Sequence, residues 1–150
     1  VVTVRPFSVV GAEEDTRRLV PRLMDAARTG APMPLSDPRV VRDFVWIDDL
    51  IELLILAADR AHDLAGAVAN GGSGVSTTLG ELVATVDSVT GRAVAAQWGT
   101  FPVAAHDLAH PVSDPTATRR WGWEPSTDLA TMIERLWLDA CADQTSEESS

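Results

Sequence analysis

The run Val40-Val41-Arg42-Asp43-Phe44-Val45-Trp46-Ile47-Asp48-Asp49 sets one arginine on a short extended segment directly ahead of an acidic helix start. An arginine fork of fixed N–H donors suits a phosphate or carboxylate, so Arg42 is the candidate anion contact. Its alternative role is a pair with Asp43 or Asp48 inside the fold, which contributes little when exposed. Asp43 and Asp48 themselves suit turn and cap hydrogen bonds. Two further stretches invite chemistry. Asn70-Gly71-Gly72-Ser73-Gly74 has the glycine content of a phosphate loop, yet fits backbone turn geometry. Trp121 and Trp123 beside Pro125 offer either a sugar-stacking platform or core packing under the last helix, and packing is favoured.

Residue types that are absent exclude whole mechanisms. The 150 residues contain no tyrosine, and every one of the 12 basic residues is arginine. Lysine Schiff bases, a phosphate-loop lysine and a tyrosine acid tuned by lysine are therefore ruled out within this sequence. Cys141 is the single cysteine, so neither an internal disulfide nor a cysteine-based zinc site is available. The formal charge of -10 repels a nucleic-acid backbone, and the arginines are scattered along the sequence, so any anion site must be local. No apolar run approaches the roughly 20 residues that cross a bilayer, and Val1 to Ser8 has no signal-peptide pattern, giving a cytoplasmic expectation.

The elements that must position these residues follow from periodicity. Val1 to Val9 is apolar or β-branched at most positions, as in a strand buried on both faces. Glu13-Glu14-Asp15-Thr16 precedes Leu19, Val20, Leu23, Met24 and Ala27, one face of a helix that stops at Gly30. Met33 to Leu35 gives a brief extended piece among prolines. Asp48 is the expected N-cap of a helix buried through Leu50, Leu53, Leu54, Ala57, Ala58 and Ala61, with Asp49 at the positive end of its dipole. Ala67 to Asn70 is a short strand, Thr78-Leu79-Gly80-Glu81 a capping box, and Ala93 to Trp98 another strand. Asp114-Pro115 opens a short helix, and Leu129, Met132, Ile133, Leu136, Trp137 and Ala140 mark the last one. Residues 144–150 are expected to be a disordered acidic tail after a single unit over residues 1–143. The class is α/β, with few strands and about five helices. Two strong parallel strands do not make a stable sheet, so further strands are expected to come from elsewhere.

Arg5-Pro6-Phe7-Ser8-Val9-Val10-Gly11, Arg42-Asp43-Phe44-Val45-Trp46-Ile47-Asp48-Asp49, Asn70-Gly71-Gly72-Ser73-Gly74 and Trp121-Gly122-Trp123-Glu124-Pro125 stand in an order that resembles the extended short-chain dehydrogenase/reductases. Within these, they resemble the NAD(P)-dependent nucleotide-sugar epimerases and dehydratases. The resemblance covers the C-terminal, substrate-binding half of such an enzyme, part of a Rossmann-type fold. The cofactor's glycine fingerprint and the Tyr-x-x-x-Lys dyad belong to the other half and have no counterpart here, so the chain alone is expected to lack the family's hydride chemistry.

By resemblance, Arg42 faces the nucleotide diphosphate, Pro6 lies near the nicotinamide, and Phe7 near nicotinamide and sugar. Strand packing is an equal alternative for Phe7. Ser8 replaces a frequent asparagine that contacts substrate. Leu19 and Val20 match a region lining the base pocket, although core packing accounts for them as well. In the loop Phe101 to Asp107, Ala104 stands where many members carry a second arginine, with His106 as a possible substitute or a solvated side chain. The resemblance implies a nucleotide-diphosphate sugar as ligand, NAD or NADP in the complete enzyme with none bound by this chain alone, and an N-terminal Rossmann half or another chain as partner. No metal site is expected, and charge and hydropathy argue against nucleic acid and a membrane as partners. A non-catalytic binding or regulatory protein derived from the family is the second reading.

Overall fold

The computed structural model describes residues 1–102 and 112–147. Within them the chain runs β1 (Thr3–Pro6), β2 (Ser8–Val10), α1 (Leu19–Thr29), β3 (Met33–Pro34), β4 (Val41–Arg42), β5 (Phe44–Trp46), α2 (Ile47–Asp59), β6 (Val68–Gly71), β7 (Thr77–Thr78), α3 (Leu79–Thr90), β8 (Ala96–Gln97), α4 (Thr116–Arg120) and α5 (Leu129–Glu147). The α/β class is as the sequence indicates.

The strands form four two-stranded ladders instead of one sheet. β1 pairs with β6, β2 with β5 and β3 with β8 in parallel, while β4 and β7 are antiparallel. The first apolar stretch is therefore divided at Phe7, its two halves taking different partners. Only Val4 of β1 is half-buried, and Thr3, Arg5 and Pro6 are exposed, so the expected burial on both faces is not met within this chain. β6 pairs with one edge of β1, and no described strand pairs with the other.

Helix boundaries follow local chemistry. α1 ends where Gly30 adopts φ 71° and returns its N–H to the Ala26 carbonyl at 2.8 Å, a conformation that suits glycine. The acids before α1 do not cap it. Arg18 is the N-cap residue, with no side-chain bond, while Asp15 pairs with Arg17 and Glu14 with Arg18. α3 has its full capping box: Thr78 Oγ1 accepts from Glu81 N at 3.1 Å, and Glu81 accepts from Thr78 N at 2.7 Å. α5 continues to Glu147, past the point at which the acidic tail was expected to begin.

Two apolar clusters hold these elements. The larger joins α1, α3 and α5 through Leu23, Leu82, Val86, Met132 and Ile133, all essentially inaccessible to solvent. Each such side chain contributes about 1.5–3 kcal/mol on burial. The smaller gathers Val45, Leu50, Leu53 and Trp123, placing Trp123 against α2, not under the last helix. Its indole Nε1 donates to the Asp49 carbonyl at 3.0 Å, which fixes the ring as core and not as an open stacking surface.

Candidate functional site

Arg42 is half-buried at the end of β4, where Val41 and Arg42 pair with Thr78 and Thr77 of β7. Leu79 N donates to the Val40 carbonyl at 2.9 Å, so the cap of α3 and the arginine strand are one hydrogen-bonded unit. Arg42 Nη1 donates to the Val41 carbonyl at 2.9 Å. Neither Asp43 nor Asp48 is used as a pair for Arg42. Asp43 is instead a buried hub: its carboxylate accepts from Ser73 N at 2.7 Å, Ser73 Oγ at 2.6 Å, Gly74 N at 3.0 Å and Ser113 N at 2.9 Å. The glycine-rich turn is thereby occupied by the protein's own carboxylate.

Asp48 is not the cap of α2, which starts at Ile47 after Trp46; its Oδ2 accepts from the Trp46 indole Nε1 at 2.9 Å. Asp49 is buried and accepts from Ser126 Oγ at 2.9 Å and Thr127 N at 3.0 Å, tying α2 to the chain ahead of α5. The acids around Arg42 are scaffold, and the arginine is the group that faces a cavity.

That cavity has two parts, sharing Arg42 and Leu19. On one side, a cleft of about 110 Å³ is lined by Ser8, Glu14, Arg18, Val20 and Phe44 together with Arg42 and Leu19. The parallel pairing of Ser8 with Phe44 and the bond from Ser8 N to the Asp43 carbonyl (2.9 Å) bring Ser8 to this wall. On the other side, a cleft of about 220 Å³ has an apolar wall of Met33, Pro34, Leu35 and Phe101, with Arg17 and Arg22 at its margin. Arg18 and Arg22 are one helical turn apart and follow Arg17, so a local cluster of arginines faces the distant Arg42 across these clefts. Their spacing at the head of an amphipathic helix was the available signal, overlooked because the net charge is acidic.

Of the residues expected from sequence, Ser8, Leu19, Val20 and Arg42 share one cleft. Pro6 is exposed on β1 and Phe7 half-buried after it, and neither lines these two clefts. His106 and Ala104 lie outside the described residues. Glu14 was missed. Its side chain is 13% exposed, Oε1 meets Arg18 Nε at 2.6 Å, and Oε2 is buried with no hydrogen-bond partner. Burial raises its carboxyl above the ordinary value of 4.5, against the lowering influence of Arg18. Among the described residues no group of His, Cys, Asp and Glu could hold a metal ion, and no helix is long and apolar enough to cross a membrane.

The family model for the NAD dependent epimerase/dehydratase family matches residues 1–70, which include both Ser8 and Arg42. The chain belongs to that family. Similar proteins include a UDP-glucose 4-epimerase of Neisseria meningitidis serogroup A, 30% identical over 118 residues, covering 77% of this chain and 34% of the relative. Another is the UDP-glucose 4-epimerase of Corynebacterium glutamicum, 29% identical over 152 residues, covering 90% of this chain and 46% of the relative. This epimerase/dehydratase chain thus spans less than half the length of these curated relatives.

Its fold is similar to that of the UDP-glucose 4-epimerase of Thermotoga maritima solved with UDP-glucose, with a TM-score of 0.79 and 22% identity. That match covers 94% of this chain and 46% of the other. A structure of MoeE5 with UDP-glucuronic acid and NAD gives a TM-score of 0.76 at 24% identity, covering 93% and 47%. The architecture therefore matches about half of the fold of these solved chains, and the few short ladders correspond to a portion of it.

Proposed function

We propose that this chain is the substrate-binding portion of an NAD(P)-dependent nucleotide-sugar epimerase, dehydratase or reductase. The observation that carries the reading is the position of Arg42 between two clefts, with Ser8, Leu19 and Val20 on one and an apolar wall on the other. A nucleoside diphosphate sugar has the matching sequence of parts. Its flat base suits the slot of Met33, Pro34, Leu35 and Phe101, its diphosphate the Arg42 fork, and its sugar hydroxyls Ser8. UDP-sugars bound by similar solved proteins support this class of ligand.

The described residues do not fit the cofactor. A dinucleotide pyrophosphate needs free backbone N–H groups at a glycine turn or helix start. Here the N–H groups of Ser73 and Gly74 are taken by the Asp43 carboxylate, whose charge repels phosphate. A Cβ at Gly72 would lie 2.7 Å from both Asp43 Oδ2 and Ser113 Oγ, so the turn is filled. With no tyrosine and no lysine, the chain also lacks the family's proton-transfer dyad. NAD or NADP, and that dyad, belong in this reading to the rest of a complete enzyme. What this chain supplies is binding and orientation of the substrate.

Calorimetry of the complete natural protein with UDP and UDP-glucose tests the proposal. Binding should weaken roughly ten- to a hundredfold in Arg42→Ala, the loss of a charge-assisted contact. Unchanged affinity would remove the basis of the reading. The absence of the dyad also favours a second reading, a binding or regulatory protein derived from the family. UDP-sugar binding by a complete protein that neither converts the sugar nor transiently reduces bound NAD(P) would select it.

A further inference from the structure

The cleft beside Ser8 contains a second cation that the family comparison does not assign. Arg18 lines it together with Arg42, from the residue immediately ahead of α1. In a chain of net charge -10, this small cleft is lined by two arginines against one carboxylate, Glu14, so its walls carry a local excess of positive charge against the field of the whole molecule. The start of α1, an 11-residue helix, adds the positive end of its dipole on the same side.

Arg18 is also held. Glu14 is carried in by a loop whose neighbouring residue, Glu13, takes φ 59°, a left-handed conformation that costs a non-glycine residue about 1–2 kcal/mol. Through this loop the mostly buried Glu14 meets the Nε edge of Arg18, while the arginine side chain itself is 59% exposed. A guanidinium bound at Nε keeps further N–H donors on its two terminal nitrogens. Glu14 leaves its own Oε2 buried and unpartnered in making this contact. An anchored arginine with donors to spare is the arrangement expected of a fork presented to an oxyanion.

We infer that Arg18 is the second cation of the substrate site, engaging the diphosphate jointly with Arg42 while Glu14 holds its Nε edge. The inference rests on the nucleotide-sugar reading and adds a specificity-determining residue to it. Two cations on one cleft favour a ligand with two adjacent phosphates over a monophosphate or a neutral nucleoside. Arg42 approaches from β4 and Arg18 from the head of α1, so the clamp closes only when both elements are in register.

The experiment compares UDP with uridine, its phosphate-free counterpart, by calorimetry or competition on the complete natural protein and on Arg18→Ala, Arg18→Gln, Arg42→Ala and Arg120→Ala. Arg120 lies on α4 and serves as an equal charge loss away from the clefts. The expected result is a roughly ten- to a hundredfold loss of UDP affinity in each Arg18 variant and in Arg42→Ala, with uridine binding and the Arg120→Ala protein unaffected. The slope of affinity against salt should become shallower in both Arg18 variants. A loss in Arg42→Ala without one in the Arg18 variants overturns this inference and leaves the functional reading intact. Equal weakening of UDP and uridine in the Arg18 variants also overturns it, since that marks a merely structural role. UDP binding that survives Arg42→Ala and both Arg18 changes sinks the nucleotide reading itself. Arg18→Gln guards against a folding defect in the alanine variant, because its amide keeps an N–H donor near the Nε position for Glu14 while removing the charge.

Discussion

Replacing Asp43 should damage the protein through stability and not through direct loss of a ligand contact, although it is the immediate neighbour of Arg42. Its carboxylate satisfies three backbone N–H groups and one hydroxyl, at 2.6–3.0 Å, from residues 30 to 70 positions away in sequence. Asp43→Asn keeps the shape and one acceptor oxygen. The other position becomes an NH2 group facing Gly74 N–H and Ser113 N–H, two donors left without an acceptor. At about 1–3 kcal/mol for each unsatisfied buried donor, the two together cost about 2–6 kcal/mol. Asp43→Ala removes every bond and should lie at or above the upper end of that range. Against a typical total of roughly 5–15 kcal/mol, either change is conspicuous. Urea unfolding followed by tryptophan fluorescence should show a lower midpoint at unchanged m value, as expected for lost stability without a change in the surface exposed. The two-state assumption is checked by coincidence with circular dichroism. A loss below about 1 kcal/mol for Asp43→Ala would refute the reasoning, because the four contacts would then have been replaced by water at little cost.

Other consequences are narrower. Gly72→Ala would place a Cβ 2.7 Å from Asp43 Oδ2 and Ser113 Oγ, so it should destabilise by about 1–3 kcal/mol by overpacking; a neutral denaturation midpoint would count against the filled turn. Thr78→Ala removes the capping-box acceptor for Glu81 N and should lower stability by about 1 kcal/mol, detected as earlier amide exchange in the first turn of α3. Glu14 carries a pH signature. Burial lifts its carboxyl above 4.5, so the folded chain holds this proton more tightly than the unfolded chain, and its contribution to stability falls as pH rises from 4.5 through the folded value. Glu14→Gln, which cannot ionise, should therefore gain on the wild type as pH rises through that window in paired urea titrations. A stability difference independent of pH would show that burial of the charge is not what shifts the group. Leu82→Ala, at the centre of the larger core and fully buried, should cost about 2–5 kcal/mol by thermal unfolding; a loss under 1 kcal/mol would mean the three-helix layer is not a packed core.

Periodicity located most helices because each buries one stripe, and a stripe is local information. The capping box at Thr78 and the stop at Gly30 were legible for the same reason, as was the parallel character of the first strand and of the strand before the glycine turn, though not that the two pair. Where the sequence reading failed, the deciding contacts were distant. Asp48 looked like a cap because its neighbours alone favour one, but the Trp46 indole takes its oxygen. Asp43 looked like a local turn residue, while its partners lie on the glycine turn and ahead of α4. Trp123 read as packing under α5, yet its indole reaches Asp49 of α2.

The site shows the same division. Arg42, Ser8, Leu19 and Val20 were named from the sequence and do meet in one cleft, whereas Glu14 carried no local signal and Arg18 only its spacing from Arg22 at the helix head. An arginine following acids at a helix start reads as surface charge until the fold shows which wall it stands on. Composition even argued against it, since a net charge of -10 suggests a surface hostile to anions. That average conceals how the charges are arranged. Asp43 and Asp49, which crowd Arg42 in sequence, are turned inward to backbone and hydroxyl donors, the exposed Asp48 is taken by the Trp46 indole, and the arginines remain on the cleft walls. Hydrogen-bonding the acids into the scaffold creates a local positive site in an acidic protein, and it explains why one short run can contain both. The same logic makes the scaffold and the site separable by experiment: an Asp43 variant should lose stability first, while Arg18 and Arg42 variants should lose phosphate recognition with the fold intact.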